Sequence, residues 1–102
     1  MAPFAIHVTP PAQRHLRDAQ RWWLENRLAA PLALHDELQR ALDLITHQPR
    51  AGVPHRGPSV RRILLVQTGY VLFYRIRPRA MRIDVLALWH GRRGAAPPLP
   101  HR

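Results

Sequence analysis

The stretch from Val60 to Trp89 leaves this chain few ways to fold. It holds three runs rich in apolar and β-branched residues, Val60–Gln67, Tyr70–Arg77 and Met81–Trp89. Only Thr68-Gly69 and Pro78–Ala80 separate them. Gaps this short cannot carry a crossover, so the runs must be neighbouring antiparallel strands. Gly69 supplies the positive φ that a tight hairpin turn needs. In the middle run Tyr70, Leu72, Tyr74 and Ile76 share one face, the better core candidate. Val71, Phe73, Arg75 and Arg77 share the other. In the last run Ile83, Val85 and Ala87 are expected on one face, with Arg82 and Asp84 opposite. Asp84 is expected to pair with an arginine.

The first half of the chain is helical. Thr9-Pro10 is a helix start, because a residue before proline is extended and proline suits the first helical position. From Pro10 to about Leu28, Ala12, Leu16, Ala19 and Trp23 fall on one face at a turn of roughly 100° per residue. Arg14, Asp18, Arg21 and Glu25 fall opposite, as solvated surface. Pro31 is expected to open a second helix to about His47, with a stripe of Leu34, Leu38, Ala41, Leu42 and Ile45. The short link through Ala29 and Ala30 makes the two helices a hairpin. Phe4 to Val8 reads as a short strand. Gln48 to Ser59, with three prolines and two glycines, reads as an irregular loop. The expected fold is α+β, in the order β-α-α-β-β-β, with a helical hairpin packed on a small, mainly antiparallel sheet. Residues 1–93 form one domain. The Pro-rich tail 94–102 is expected to be disordered and dispensable for folding.

The charge is lopsided: 16 basic residues, all arginine, against 6 acidic ones give a net +10. That excess points to an anionic partner such as nucleic acid, a ribosome or an acidic protein segment. There is no cysteine, hence no disulfide, thiol nucleophile or thiolate metal site. No apolar run approaches the roughly 18 residues of a membrane span. A cytoplasmic protein without a membrane role is the simplest expectation. Seven histidines show no close ligand spacing, so no metal or other cofactor is expected. His15, His35, His47 and His55 are expected to be exposed. Tyr70 and Tyr74 are core candidates that could otherwise stack a base.

The segment "RRILLVQTGYVLFYRIRPRAMRIDVLALWHGRR" combines an Arg-bearing strand, a Y-x-x-x-Y-R strand, a short turn, an apolar strand and a terminal H-G-R-R. Together with the helix start "TPPAQRHLRDAQRWW" and the pair Pro49 and Gly52, it resembles the RelE/ParE superfamily of type II toxin–antitoxin toxins. The resemblance spans roughly residues 5–93. It implies a small basic cytosolic toxin, neutralised by a cognate antitoxin whose flexible segment wraps it. Two branches differ in target. RelE-like members cut messenger RNA in the ribosomal A site, whereas ParE-like members poison DNA gyrase.

Ribosome-dependent cleavage needs a proton-transfer group and cations around the scissile phosphate. His90, Arg61, Arg62 and Arg92 are the candidates for that alternative. Beyond Arg93 no Tyr, His or acid occurs until His101, so the H-G-R-R ending looks more like the ParE branch. On that reading no catalytic residue is expected. Val71, Phe73, Arg75, Arg77, Arg92 and Arg93 are the candidates for binding antitoxin or target. A generic nucleic-acid-binding domain, suggested by charge alone, would not demand the apolar helical stripes.

Overall fold

The computed structural model describes residues 2–93 and 97–99. Its elements run β1 (Ala5–Val8), α1 (Pro10–Asn26), α2 (Ala33–His47), a 3-10 turn (Pro49–Ala51), β2 (Val53–Arg56), β3 (Val60–Leu65), β4 (Tyr70–Arg77), β5 (Arg82–His90) and a second 3-10 turn (Gly91–Arg93). The strands form one sheet in the order β1-β5-β4-β3-β2. Only β1 against β5 is parallel; the other pairs are antiparallel. The α+β architecture and the helical pair on the sheet are therefore as expected.

Thr9 caps α1 from an extended backbone, its hydroxyl accepting from Ala12 N at 3.4 Å and donating to Val85 O at 2.8 Å. One side chain thus starts the helix and ties it to the central sheet. Ala12, Ala19, Trp23, Leu34, Leu38, Ala41 and Ile45 bury the two stripes against Leu65, Tyr70, Leu72, Tyr74, Ile76, Ile83, Val85 and Leu88. Leu16 and Leu42 pack at the margin of this core. The second helix begins at Ala33 and not at Pro31, which lies in the turn before it.

Four details depart from the pattern read above. The loop after α2 contains a strand, β2. Pro54 is tolerated there because β2 is the sheet edge, where a missing N–H breaks no ladder on the outer side. The β3–β4 turn is longer than two residues: Leu65 pairs with Tyr70, and Val66 to Gly69 form the loop. Gly69 takes φ +82° and its N–H bonds Leu65 O at 2.8 Å. The buried carboxylate of Glu37 on α2 anchors that loop, accepting from Gln67 N, Thr68 N and the Thr68 hydroxyl at 2.8, 3.0 and 2.8 Å. Finally, β5 carries a bulge. Phe73 pairs with Ala87 but Tyr74 pairs with Val85, which leaves Leu86 as the extra residue. Ile83 and Val85 therefore face the helices, while Ala87 joins Phe73 on the opposite face, against expectation.

The loop after α2 is pinned by Tyr74. Its hydroxyl donates to Pro49 O at 2.6 Å and accepts from Gly52 N at 2.9 Å. Burial pushes the phenol above its ordinary pKa, opposed by the Gly52 bond and the Arg61 charge. A Cβ on Gly52 would lie 2.7 Å from both Arg62 O and Tyr74 Oη. Gly52→Ala is therefore expected to cost about 2–3 kcal/mol, because backbone is one of the two atoms that must yield. Chemical denaturation reads this; a loss below about 0.5 kcal/mol would contradict the packing.

Most of the tail, 94–96 and 100–102, lies outside the described residues. Leu99 is described, and it is buried with Val60, Phe73, Leu86 and Ala87 on the sheet face away from the helices. Leu99→Ala is expected to cost about 1–2 kcal/mol, less than a rigid core leucine because a chain end can resettle. An unchanged Tm would show that Leu99 contributes nothing there.

Candidate binding face and the end of strand β5

Strand alternation gives the sheet two faces. Val71, Phe73, Arg75 and Arg77 do share the one that lacks helices. Two zones divide it. Near the end of β5, Val71 and Trp89 border the apolar cluster of Val60, Phe73, Leu86 and Ala87 that Leu99 covers. His55, half-buried and not exposed as expected, meets Phe73 edge-on at 4.9 Å. Burial, then the charges of Arg62 and Arg56, hold its imidazole below the ordinary pKa, which favours the neutral ring.

The other zone is cationic. Arg56, Arg75, Arg77 and Arg79 line a hollow of about 760 Å³ at the β4–β5 turn. Arg75 is buried; that burial, and next the Arg77 charge, pull its guanidinium below the ordinary value, while Asp84 opposes. Asp84 pairs with arginines, as expected: Arg77 Nε at 3.0 Å and Arg82 Nε at 2.7 Å. Burial alone would push its carboxyl up, but hydrogen bonds from Arg82 and Arg77 outweigh that and hold it below the ordinary 3.8. A depressed folded value means that stability is complete above the unfolded pKa and is lost as pH falls through the folded one. Acid should therefore destabilise the protein below about pH 4, and Asp84→Asn should flatten that part of the profile. Equal acid slopes for the two proteins in denaturant melts would overturn the assignment.

The remaining candidates do not converge. Arg61 pairs with Tyr74 in the sheet and turns to the helix side, its Nη1 donating to Gly52 O at 2.8 Å and Arg50 O at 3.4 Å. Its buried Nε has no partner among the described residues. Arg62, on the opposite face, lies 3.4 Å from His55 Nδ1. His90 pairs with Tyr70, four residues along β4 from Tyr74, or about 13 Å at roughly 3.3 Å per residue. Its ring meets Tyr70 edge-on at 5.0 Å, and its Nδ1 accepts from Arg92 N at 3.2 Å. Arg92 is exposed in the turn beyond β5; the side chain of Arg93 lies outside the described residues. Among the described residues no group of three His, Cys, Asp or Glu could hold a metal, and no helix is long and apolar enough to cross a membrane.

Sequence reasoning placed Arg82 on this face but overlooked Arg56, Leu86 and His55 as parts of it. The bulge and the unforeseen β2 bring them there. Leu99 carried a signal that was available: it is the one large apolar residue in a Pro-rich tail.

This sheet, with a helical pair on one face and an arginine-rich face opposite, is the fold of small toxins of toxin–antitoxin systems. It superposes on the chromosomal ParDE system from P. aeruginosa with a TM-score of 0.68 at 16% identity, covering 85% of this chain and 95% of that one. The RelBE2 complex from Mycobacterium tuberculosis gives 0.60 at 23% identity, covering 87% and 99%. The isolated E. coli RelE toxin gives 0.61 at 18% identity, covering 89% and 87%. A search of curated protein sequences gives no significant match. The family described as "ParE toxin of type II toxin-antitoxin system, parDE" matches residues 6–94. The chain belongs to that family.

Proposed function

We propose that this toxin acts in the ParE manner, by binding DNA gyrase in the cytoplasm and not by cutting RNA, and that a cognate antitoxin neutralises it. The observation that carries the reading is the dispersal of the groups a nuclease would need. Arg61 and Arg62 lie on opposite faces, and Arg61 is spent on backbone carbonyls. His90 stands about four residues further along the sheet, with one ring nitrogen engaged by the backbone. An acid–base group must reach the atom it protonates at hydrogen-bond distance.

The open face suits an acidic, flexible antitoxin segment. Carboxylates would meet Arg77 and Arg75, while apolar side chains would lie over Val71 and Phe73. Leu99 already covers part of that ground. Arg92, exposed in the turn beyond β5, extends the basic surface. The second reading, ribosome-dependent messenger cleavage, is favoured by the similarity to RelE and by the arginines of this face.

Purified protein added to gyrase and relaxed plasmid, with no ribosome present, should block supercoiling or accumulate cleaved DNA. Antitoxin added in excess should reverse the effect. Unaffected gyrase, together with messages cut in the A site of translating ribosomes, would replace the first reading with the second.

A further inference from the structure

A cleft of about 850 Å³ opens beside the end of the sheet, between α1, the 66–69 loop and the end of β5. All three of the chain's tryptophans line it. Trp23 is the fixed wall, buried and with its indole N–H donating to Ala30 O at 2.8 Å. Trp22 is 44% exposed, and the Arg27 guanidinium lies 5.1 Å from its ring centroid. Trp89 is half-buried beside His15, whose ring meets it edge-on at 5.6 Å. His15 is thus part of the wall and not exposed as expected.

The rim is cationic. Arg27 and Arg92 come from different elements and have no acidic partner among the described residues. Asp18, the carboxylate of the lining, is held by Arg21 at 2.7 Å. Trp, Tyr and Arg gathered around one pocket is the composition of a binding hot spot, where a single anchor side chain is desolvated. Part of the hydrogen-bonding capacity of the lining is already engaged. The Thr68 hydroxyl donates to Glu37, the Gln67 side chain accepts from Arg40, and His90 Nδ1 accepts from Arg92 N. The lining combines apolar surface with a cationic rim, on a chain of net charge +10.

We propose that this cleft docks an acidic segment of a partner protein, which sets one large aliphatic side chain against the tryptophans and its carboxylates against Arg27 and Arg92. The inference deepens the reading that the chain works by binding proteins, and adds a surface that adjoins the open sheet face at Trp89.

The three indole N–H signals in an NMR spectrum of the full chain report on the cleft directly. The probe is the acetylated, amidated peptide EELEE, titrated to about 10 mM, since a ligand this small is expected to bind near millimolar. It should shift the Trp22 and Trp89 signals saturably. The peptides QQLQQ and EEAEE should each bind at least tenfold more weakly, as should EELEE to Arg27→Gln or Trp22→Ala protein of unchanged Tm. No saturable shift, or equal binding of QQLQQ, would overturn the proposal. Tighter binding of AMP at the same signals would make the cleft a nucleotide site instead. The supercoiling assay is scored separately on the same protein, so a silent cleft and an unaffected gyrase are distinguishable failures.

Discussion

Replacing Trp23 with Ala is expected to cost about 3–5 kcal/mol, while Arg21→Ala, two residues away, should change stability by less than about 0.5. The contrast follows from helix phase. Trp23 is only 8% exposed and lies in the main core with Ala19 and Leu34. Truncation removes the largest buried side chain of α1 and the bond from its indole N–H to Ala30 O, which holds the link between the helices. The hole would open onto the cleft that Trp23 walls, so the ring's packing against Ala19 and Leu34 is lost without replacement. Arg21 is paired with Asp18, but both side chains are well exposed, and such a pair contributes little after solvent screening. With a total stability of roughly 5–15 kcal/mol for a small domain, the Trp23 variant should lose a third or more of it. Denaturant midpoints of the two variants and the parent measure this. Comparable losses for both would mean that α1 is rotated relative to the sheet.

The same periodicity explains which parts of the fold are legible in the sequence. The stripes of α1 and α2 recur at helical spacing because one face of each is buried, so Ala12 to Trp23 and Leu34 to Ile45 can be read directly. Strand β4 is legible residue by residue, since Tyr70, Leu72, Tyr74 and Ile76 alternate against Val71, Phe73, Arg75 and Arg77. Strand β5 is not. Leu86, Ala87 and Leu88 are apolar on both sides, so nothing in the sequence marks the step at which the bulge reverses the faces. Strand β2 is hidden for another reason. It is short and contains Pro54, and only pairing with β3 makes it a strand. Glu37 looks like one more solvated acid on a helix, because its partners Gln67 and Thr68 arrive from 30 and 31 residues away.

The candidate site follows the same division. The shared face of Val71, Phe73, Arg75 and Arg77 is visible in the alternation of β4. The opposite directions of Arg61 and Arg62 are implied by adjacency in a strand, yet a list of cations by composition pools them. The cleft behind His90 cannot be read from the chain at all. It exists only because the end of β5, the 66–69 loop and the last turns of α1 come together.

His90→Ala separates the two mechanisms most widely. If the imidazole transferred a proton in messenger cleavage, the variant should lose about 10²–10⁴ in rate while its fold survived. The structure gives this ring a smaller office. Its Nδ1 accepts from Arg92 N, its edge meets Tyr70, and Gly91 N bonds Gly69 O at 2.9 Å beside it. These contacts fasten the terminal turn to the β3–β4 loop. Losing the ring removes one hydrogen bond, of about 1 kcal/mol net, and leaves the Gly91 bond and the strand ladder in place. Inhibition of supercoiling by His90→Ala protein should therefore remain within about tenfold of the parent, the change that about 1.4 kcal/mol of lost contact would produce. Messages on translating ribosomes should stay intact with either protein. A thousandfold loss of toxicity in a variant of unchanged Tm, accompanied by the disappearance of A-site cuts made by the parent, would assign His90 to proton transfer and the toxin to the RNA-cleaving branch.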